Sequence, residues 1–249
     1  MYYYIYDDFV QDKRHEKDLM RIENRLADLD IAGKIARLAL FKRADELIAD
    51  EVKRGVKTVI VVGNDDTVFK VLDAVVESGV TFGVIPIGTN NNVARMLGIP
   101  DGLAACDLLA NRLTEKLDLG KVNGYRFVTG VSFPKISPEM VVDKSYIVTP
   151  TGPGNIQIRN LAVGEVRGTD EVADPRDGKL EMVVSVSGGL RLRRKNKFPA
   201  SVIAMKRLAF DTKEPITVVA DNRKVRGTKF RIQTEPKKLR VIVGKDRMF

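Results

Sequence analysis

The chain has 249 residues, 44% of them hydrophobic and 30% charged, with a net charge of +9, a composition that fits one large or two small folded domains and excludes a disordered polymer. No apolar stretch approaches the ~20 residues of a membrane-spanning helix, and MYYYIYDDF lacks the basic-then-apolar pattern of a secretory signal. A single cysteine, Cys106, excludes an internal disulfide, and a single histidine, His15 in the polar run QDKRHEKD, removes His-rich zinc sites and most triad hydrolases. These features point to a cytoplasmic protein, with peripheral membrane attachment left open.

In chain order, Tyr2 to Tyr6 reads as a strand. Leu19, Ile22, Leu26 and Leu29 follow at helical spacing and put four apolar side chains on one face. Ile35 to Leu40 reads as a second strand, before a helix carrying Leu47, Ile48 and Val52. Thr58 to Val62 is a β-branched run bounded by Gly63, the pattern of a strand buried on both faces of a parallel sheet. Val68, Val71, Leu72, Val75 and Val76 predict the next helix, and Phe82 to Ile87 the next strand. Repeated β-α units imply a doubly wound parallel sheet with right-handed crossovers.

Beyond about Leu113 the period changes to two, as in Leu180, Met182, Val184 and Val186, or Leu239, Val241 and Val243. Turn signals punctuate it at TPTGPG, ADPRDG and SGG. The expected fold class is therefore α/β. A doubly wound, parallel-sheet nucleotide-binding domain covers 1–113, and an antiparallel β-sandwich domain covers 114–249, its C-terminal segment returning toward the first.

Ligands of open α/β sheets bind at the carboxyl ends of the strands. Two such ends carry unusual residues: Gly63-Asn64-Asp65-Asp66-Thr67 after the TVIVV run, and Gly88-Thr89-Asn90-Asn91-Asn92 after FGVIPI. Each leads into a helix N-terminus, where free N–H groups favour phosphate. Asp65 or Asp66 could hold Mg²⁺, which takes carboxylates together with phosphate oxygens. The same residue types are also ordinary helix caps. Two of them in one β-α-β unit suggest a crevice on one sheet edge.

VVGNDDTVFKVLDAV followed by GVIPIGTNNNVARMLGIP resembles the diacylglycerol kinase catalytic domain shared with sphingosine kinases and bacterial lipid kinases. Gly63, Asp65 and Thr67 match that family's GGDGT loop, and Pro86, Gly88, Thr89 and Asn91 match its P-x-GT-x-N loop. KLDLGKVNGYRF is similar to the entry into its second domain, ADPRDGKLEM to its D-G-x-L element, and PITVVADNRKV stands where it has a D-G-E turn. The resemblance implies ATP and Mg²⁺ as cofactors and phosphoryl transfer to a lipid hydroxyl. It implies nucleotide binding by Gly63, Asn64, Asp65, Asp66, Thr67, Gly88, Thr89 and Asn91, metal binding by Asp65 and Asp177, and catalytic roles for Asp65, Asp177 and Asp221.

The sequence also departs from that pattern. YIYDDF stands in place of an N-P-x-S-G phosphate loop, and Asn64 and Asp66 replace two glycines. D-G-E becomes Asp221-Asn222-Arg223, and arginine, always protonated, cannot act as the general base expected there. A non-catalytic descendant that binds nucleotide, lipid or a protein partner is the alternative reading.

The positive charge is concentrated late: residues 189–249 hold 18 Lys and Arg against 5 Asp and Glu. Arg191, Arg193, Arg194, Lys195 and Lys197 form a basic stretch that could rest on an anionic membrane surface. Nucleic acid is the weaker expectation, since no aromatics interleave with these charges for base stacking. A nucleotide and a lipid are the expected partners, and homo-oligomerisation is left open.

Overall fold

The computed structural model describes residues 1–38, 44–152, 154–166, 169–186 and 200–249; the basic stretch from Arg191 to Lys197 lies outside them. Two compact units form, Met1–Leu117 with Lys238–Met248, and Asp118–Lys237 with Phe249. The residues at 114–117 and 238–248 thus belong to the first unit, where a division at 113 assigns them to the second.

The first unit runs β1 (Tyr2–Tyr6), α1 (Glu16–Asp28), β2 (Lys34–Arg37), α2 (Ala44–Lys53), β3 (Thr58–Gly63), α3 (Asp65–Ser78), β4 (Thr81–Pro86), α4 (Asn92–Met96), α5 (Leu103–Asn111) and β5 (Thr114–Val122). Its sheet is parallel, in the order β2-β1-β3-β4, and Val241 of the returning chain pairs in parallel with Phe82 beyond β4. Helices α1 and α5 pack together, and α2 packs on α3, as right-handed crossovers on both faces require. That double cover explains why every residue of β3 and β4 is buried. The edge strand β2 is mostly exposed and begins at Lys34; the expected strand ended at Leu40, and residues 39–40 lie outside the described set.

The second unit is antiparallel: β6 (Tyr125–Phe127), β7 (Gly130–Ser132), β8 (Met140–Val142), β9 (Tyr146–Val148), β10 (Gly154–Arg159), β11 (Val163–Val166), β12 (Thr169–Val172), β13 (Leu180–Val186), β14 (Ser201–Met205), β15 (Arg207–Ala220) and β16 (Arg223–Ile242). β15 serves two arms. Near Val219 it pairs with β7, which leads on to β10, β13 and β14, and near Leu208 it pairs with β8 and so β9. An irregularity between Asp211 and Ile216 separates the two segments, the device by which one strand bends from one layer to another. The arms close on one core that includes Phe133, Met182, Phe210 and Phe230. Period-2 burial in β10 and β15 is the alternation read from the sequence.

Candidate functional site

Both polar loops lie at the C-terminal edge of the first sheet, because β3 and β4 run in parallel with Gly63 opposite Pro86. Gly63 is glycine for steric reasons: a Cβ there would stand 2.2 Å from the Thr67 Oγ1. Gly88 has φ +81, a left-handed backbone that glycine adopts without penalty.

The first loop is closed by its own side chains. Asn64 caps α3, its Oδ1 accepting from the Thr67 N–H at 3.4 Å, while the Asn64 N–H donates to Thr67 Oγ1 at 3.1 Å. The Thr67 hydroxyl donates in turn to Asp7 Oδ2 at 2.8 Å. Lys70 Nζ reaches the same carboxylate at 2.9 Å, and the Asp8 N–H donates to it at 2.7 Å. Burial works to raise the Asp7 pKa, but the bonds from Lys70 and Thr67 prevail and hold it below the usual carboxylate value. Asp7, buried at 3% exposure, thus places a fixed negative charge at the end of β1. Motif reasoning assigns no site role to this residue, although a carboxylate ending the apolar run YYYIY was the available signal.

Asp65 joins the two loops. Its N–H donates to the Asn90 carbonyl at 3.0 Å, and its carboxylate accepts from the N–H groups of Asn92 and Val93, each at 2.9 Å. It therefore caps α4 across a gap of 27 residues. Burial raises its pKa, with the two N–H bonds opposing, and the net shift is upward. The crevice expected between the loops is instead a hydrogen-bonded seam. Asp66, by contrast, is exposed.

A cavity of about 1470 Å³ opens on the other side of the 88–92 loop. Gly88, Thr89 and Asn91 line it, and the residues Gly63 to Thr67 do not. Arg95, Arg112 and Lys245 bring positive charge to its wall, Asp101 and Asp246 bring negative charge, and Leu108 and Val243 supply apolar surface. Asn91 donates through Nδ2 to the Gly88 carbonyl at 3.1 Å and to Asp101 Oδ1 at 3.3 Å. Its Oδ1 is buried beneath the surface without a partner. Among the described residues no three His, Cys, Asp or Glu side chains stand together as a metal site. A Mg²⁺ ion here would rely on nucleotide phosphates for most of its ligands.

The remaining predicted residues lie in the second unit. Asp221, at the β15–β16 turn with φ +51, accepts from the N–H groups of Val128 at 2.8 Å, Thr129 at 2.9 Å and Gly130 at 3.3 Å, and from the Thr129 hydroxyl. Burial raises its pKa and those bonds only partly offset it. The carboxylate is a clamp on the 128–130 backbone. Arg223 stacks its guanidinium 4.9 Å from the centre of the Tyr125 ring. Asp177 is exposed, accepts from the Lys179 N–H at 2.8 Å, and borders a cavity of about 560 Å³ with Asp143, Lys206 and Arg207. Asp118 was missed: at 0% exposure, it accepts from the Gly178 N–H at 2.6 Å and the Lys237 N–H at 2.7 Å. A charge inside the apolar run LDLG was its signal.

A parallel α/β unit with paired polar loops at its strand ends, followed by an antiparallel β unit, defines a two-domain protein of the α/β class. Residues 2–122, just under half of the chain, match the sequence model of the diacylglycerol kinase catalytic domain, which supports membership of that family. It is 42% identical over 74 residues to a diacylglycerol kinase of Bacillus subtilis (strain 168), a match covering 28% of this chain and 24% of that protein. It is 36% identical over 81 residues to a diacylglycerol kinase of Mycobacterium tuberculosis, covering 32% and 26% respectively. These matches span about a quarter of each curated relative. The crystal structure of a diacylglycerol kinase from Bacillus anthracis str. Sterne superposes with a TM-score of 0.79 at 20% identity, over 98% of this chain and 97% of that one. The likeness of fold therefore extends through both units.

Proposed function

We propose that this chain is a lipid-kinase-like protein that binds ATP with Mg²⁺ in the cavity beside the 88–92 loop. The observation that carries the reading is the cavity wall itself, where Arg95 and Lys245 stand beside the 88–92 loop and Leu108 and Val243 supply the opposite, apolar chemistry. Cationic groups there favour phosphates, and the apolar side accepts a base. Phosphoryl transfer to a lipid hydroxyl is the reaction the family relationship suggests, and relatives named diacylglycerol kinases support that acceptor class.

A second reading, of a binder with little or no turnover, rests on the Asp221 clamp and on Arg223. A carboxylate holding three backbone N–H groups and the Thr129 hydroxyl is committed to the 128–130 segment, and a stacked guanidinium takes no proton. A placed base contributes about 10²–10⁴-fold, so its loss separates binding from chemistry. Calorimetric titration with ATP, with and without Mg²⁺, tests the binding. Radiolabel transfer to diacylglycerol in mixed micelles tests the reaction. Saturable ATP binding with slow transfer is the expected pair of results; absence of binding in both titrations overturns the nucleotide reading.

A further inference from the structure

The turn between β5 and β6 is the two-residue loop Asn123-Gly124, flanked by the paired residues Val122 and Tyr125. Both loop residues have left-handed backbones, with φ +47 and φ +95, the geometry for which Asn-Gly is a preferred pair in a hairpin of this length. It is the one Asn-Gly step in the sequence. The pair also carries a covalent reactivity. Glycine has no Cβ, so its amide nitrogen approaches the preceding asparagine Cγ with the least hindrance of any residue. Both residues are exposed, and water reaches them.

In the fold the Asn123 amide is engaged at both ends. Its Nδ2 donates to the Lys229 carbonyl at 2.8 Å, and its Oδ1 accepts from the Arg231 N–H at 2.9 Å. The Asn123 N–H donates to the Arg231 carbonyl at 3.0 Å. The side chain thus acts as one more rung between the hairpin and β16, all within the second unit. It grips β16 beside the irregularity, where Lys229 pairs with Asp211. An amide whose oxygen and nitrogen are both held cannot turn its Cγ toward the Gly124 nitrogen.

We propose that Asn123 is a site of covalent modification, deamidating spontaneously whenever β16 releases its amide. The Gly124 nitrogen attacks Asn123 Cγ; a C–N bond forms as the bond to Nδ2 breaks, and ammonia leaves with the Gly124 proton. Water then opens the cyclic imide to aspartate or isoaspartate, and no oxidant or cofactor takes part. Aspartate lacks the donor to the Lys229 carbonyl and sets a negative charge against that oxygen. Isoaspartate adds a backbone atom to a turn whose pairing admits two residues. Either product loosens β16 at the irregularity, two residues from Tyr125, on which Arg223 stacks. The proposal stands whether or not ATP is bound.

The test is incubation of the full chain in mildly alkaline buffer, folded or in urea, followed by digestion and mass spectrometry of the peptide that carries Asn123. In urea Asn123 should convert first among the asparagines, and Gly124→Ala should slow it severalfold there, where the fold plays no part. The folded protein should convert at least ~tenfold more slowly, because the amide is free only in the locally opened fraction. Asn123→Asp, which is one of the two products, should melt lower and exchange the Arg231 amide hydrogen faster than the unmodified protein. Equal rates in the fold and in urea, another asparagine converting first in urea, or unchanged melting and exchange in Asn123→Asp would each overturn the proposal.

Discussion

Asp65 and Val93 are joined by a 2.9 Å bond from backbone N–H to carboxylate, and with the parallel bond from Asn92 it makes one side chain the cap of a helix in the next β-α unit. Four N–H groups begin every helix without an internal partner. In α4, five residues long, two of them are met from a different loop. The loop that lines the cavity is thus held by the first residue of α3.

Asp65→Ala should therefore act on both stability and binding. Leaving two N–H groups without their acceptor costs about 1–3 kcal/mol for each group that water does not reach. The expected outcome is a lower urea midpoint together with weaker ATP binding by calorimetry, and Asp65→Asn should fall between it and the unmodified protein. Full ATP affinity in Asp65→Ala would separate the α4 cap from the cavity.

Asp7 makes a pH prediction. Its folded-state pKa is depressed, because Lys70 and Thr67 outweigh burial. A depressed carboxylate contributes stability that is present above its unfolded value, about 3.9, and is lost as pH falls through the folded value. Asp65 and Asp221 are shifted up, mainly by burial. Their protonation favours the folded state as pH falls toward that range, so they do not produce the acid loss. Urea midpoints measured from pH 5 to pH 2 should drop below about pH 4, and Asp7→Asn should flatten that drop.

Arg223→Glu would put a carboxylate where a proton acceptor is missing. It removes the stack on Tyr125, a surface contact worth about 0.5–1 kcal/mol. If lipid phosphorylation is limited by the missing base, kcat should rise, by up to about 10²-fold, with ATP affinity little changed. A kcat equal to that of the unmodified protein would place the limit elsewhere, and Asp177→Asn would be the next measurement.

Asp118→Ala should be among the most damaging single changes in the second unit. The residue is fully buried and satisfies the N–H groups of Gly178 and Lys237. Removing its carboxylate leaves both unmet, at about 1–3 kcal/mol each. Thermal melting should show a clear fall, and Asp118→Asn, which keeps one acceptor, should recover part of it.

The strands of the first unit could be read directly. Thr58 to Val62 and Phe82 to Ile87 are short, β-branched and bounded, and their burial on both faces follows from helices on both sides. The antiparallel half was legible from its period of two. Less legible were residues whose partners lie far away in the chain. Asp65 reads as a cap of its own helix, Asp221 as a turn residue, and Asp118 as a flaw in an apolar run. Their bonds reach across 27, 93 and 119 residues respectively.

Local chemistry settled the kinds of element, their order, the two polar loops and the family resemblance, because periodicity, turn residues and steric limits act over a few residues. The tertiary structure alone decided which carboxylates are committed to backbone donors, that the two loops close into a seam, and that the cavity opens beside 88–92. A side chain's partner is set by strand register and crossover, and those are fixed only when the whole core packs.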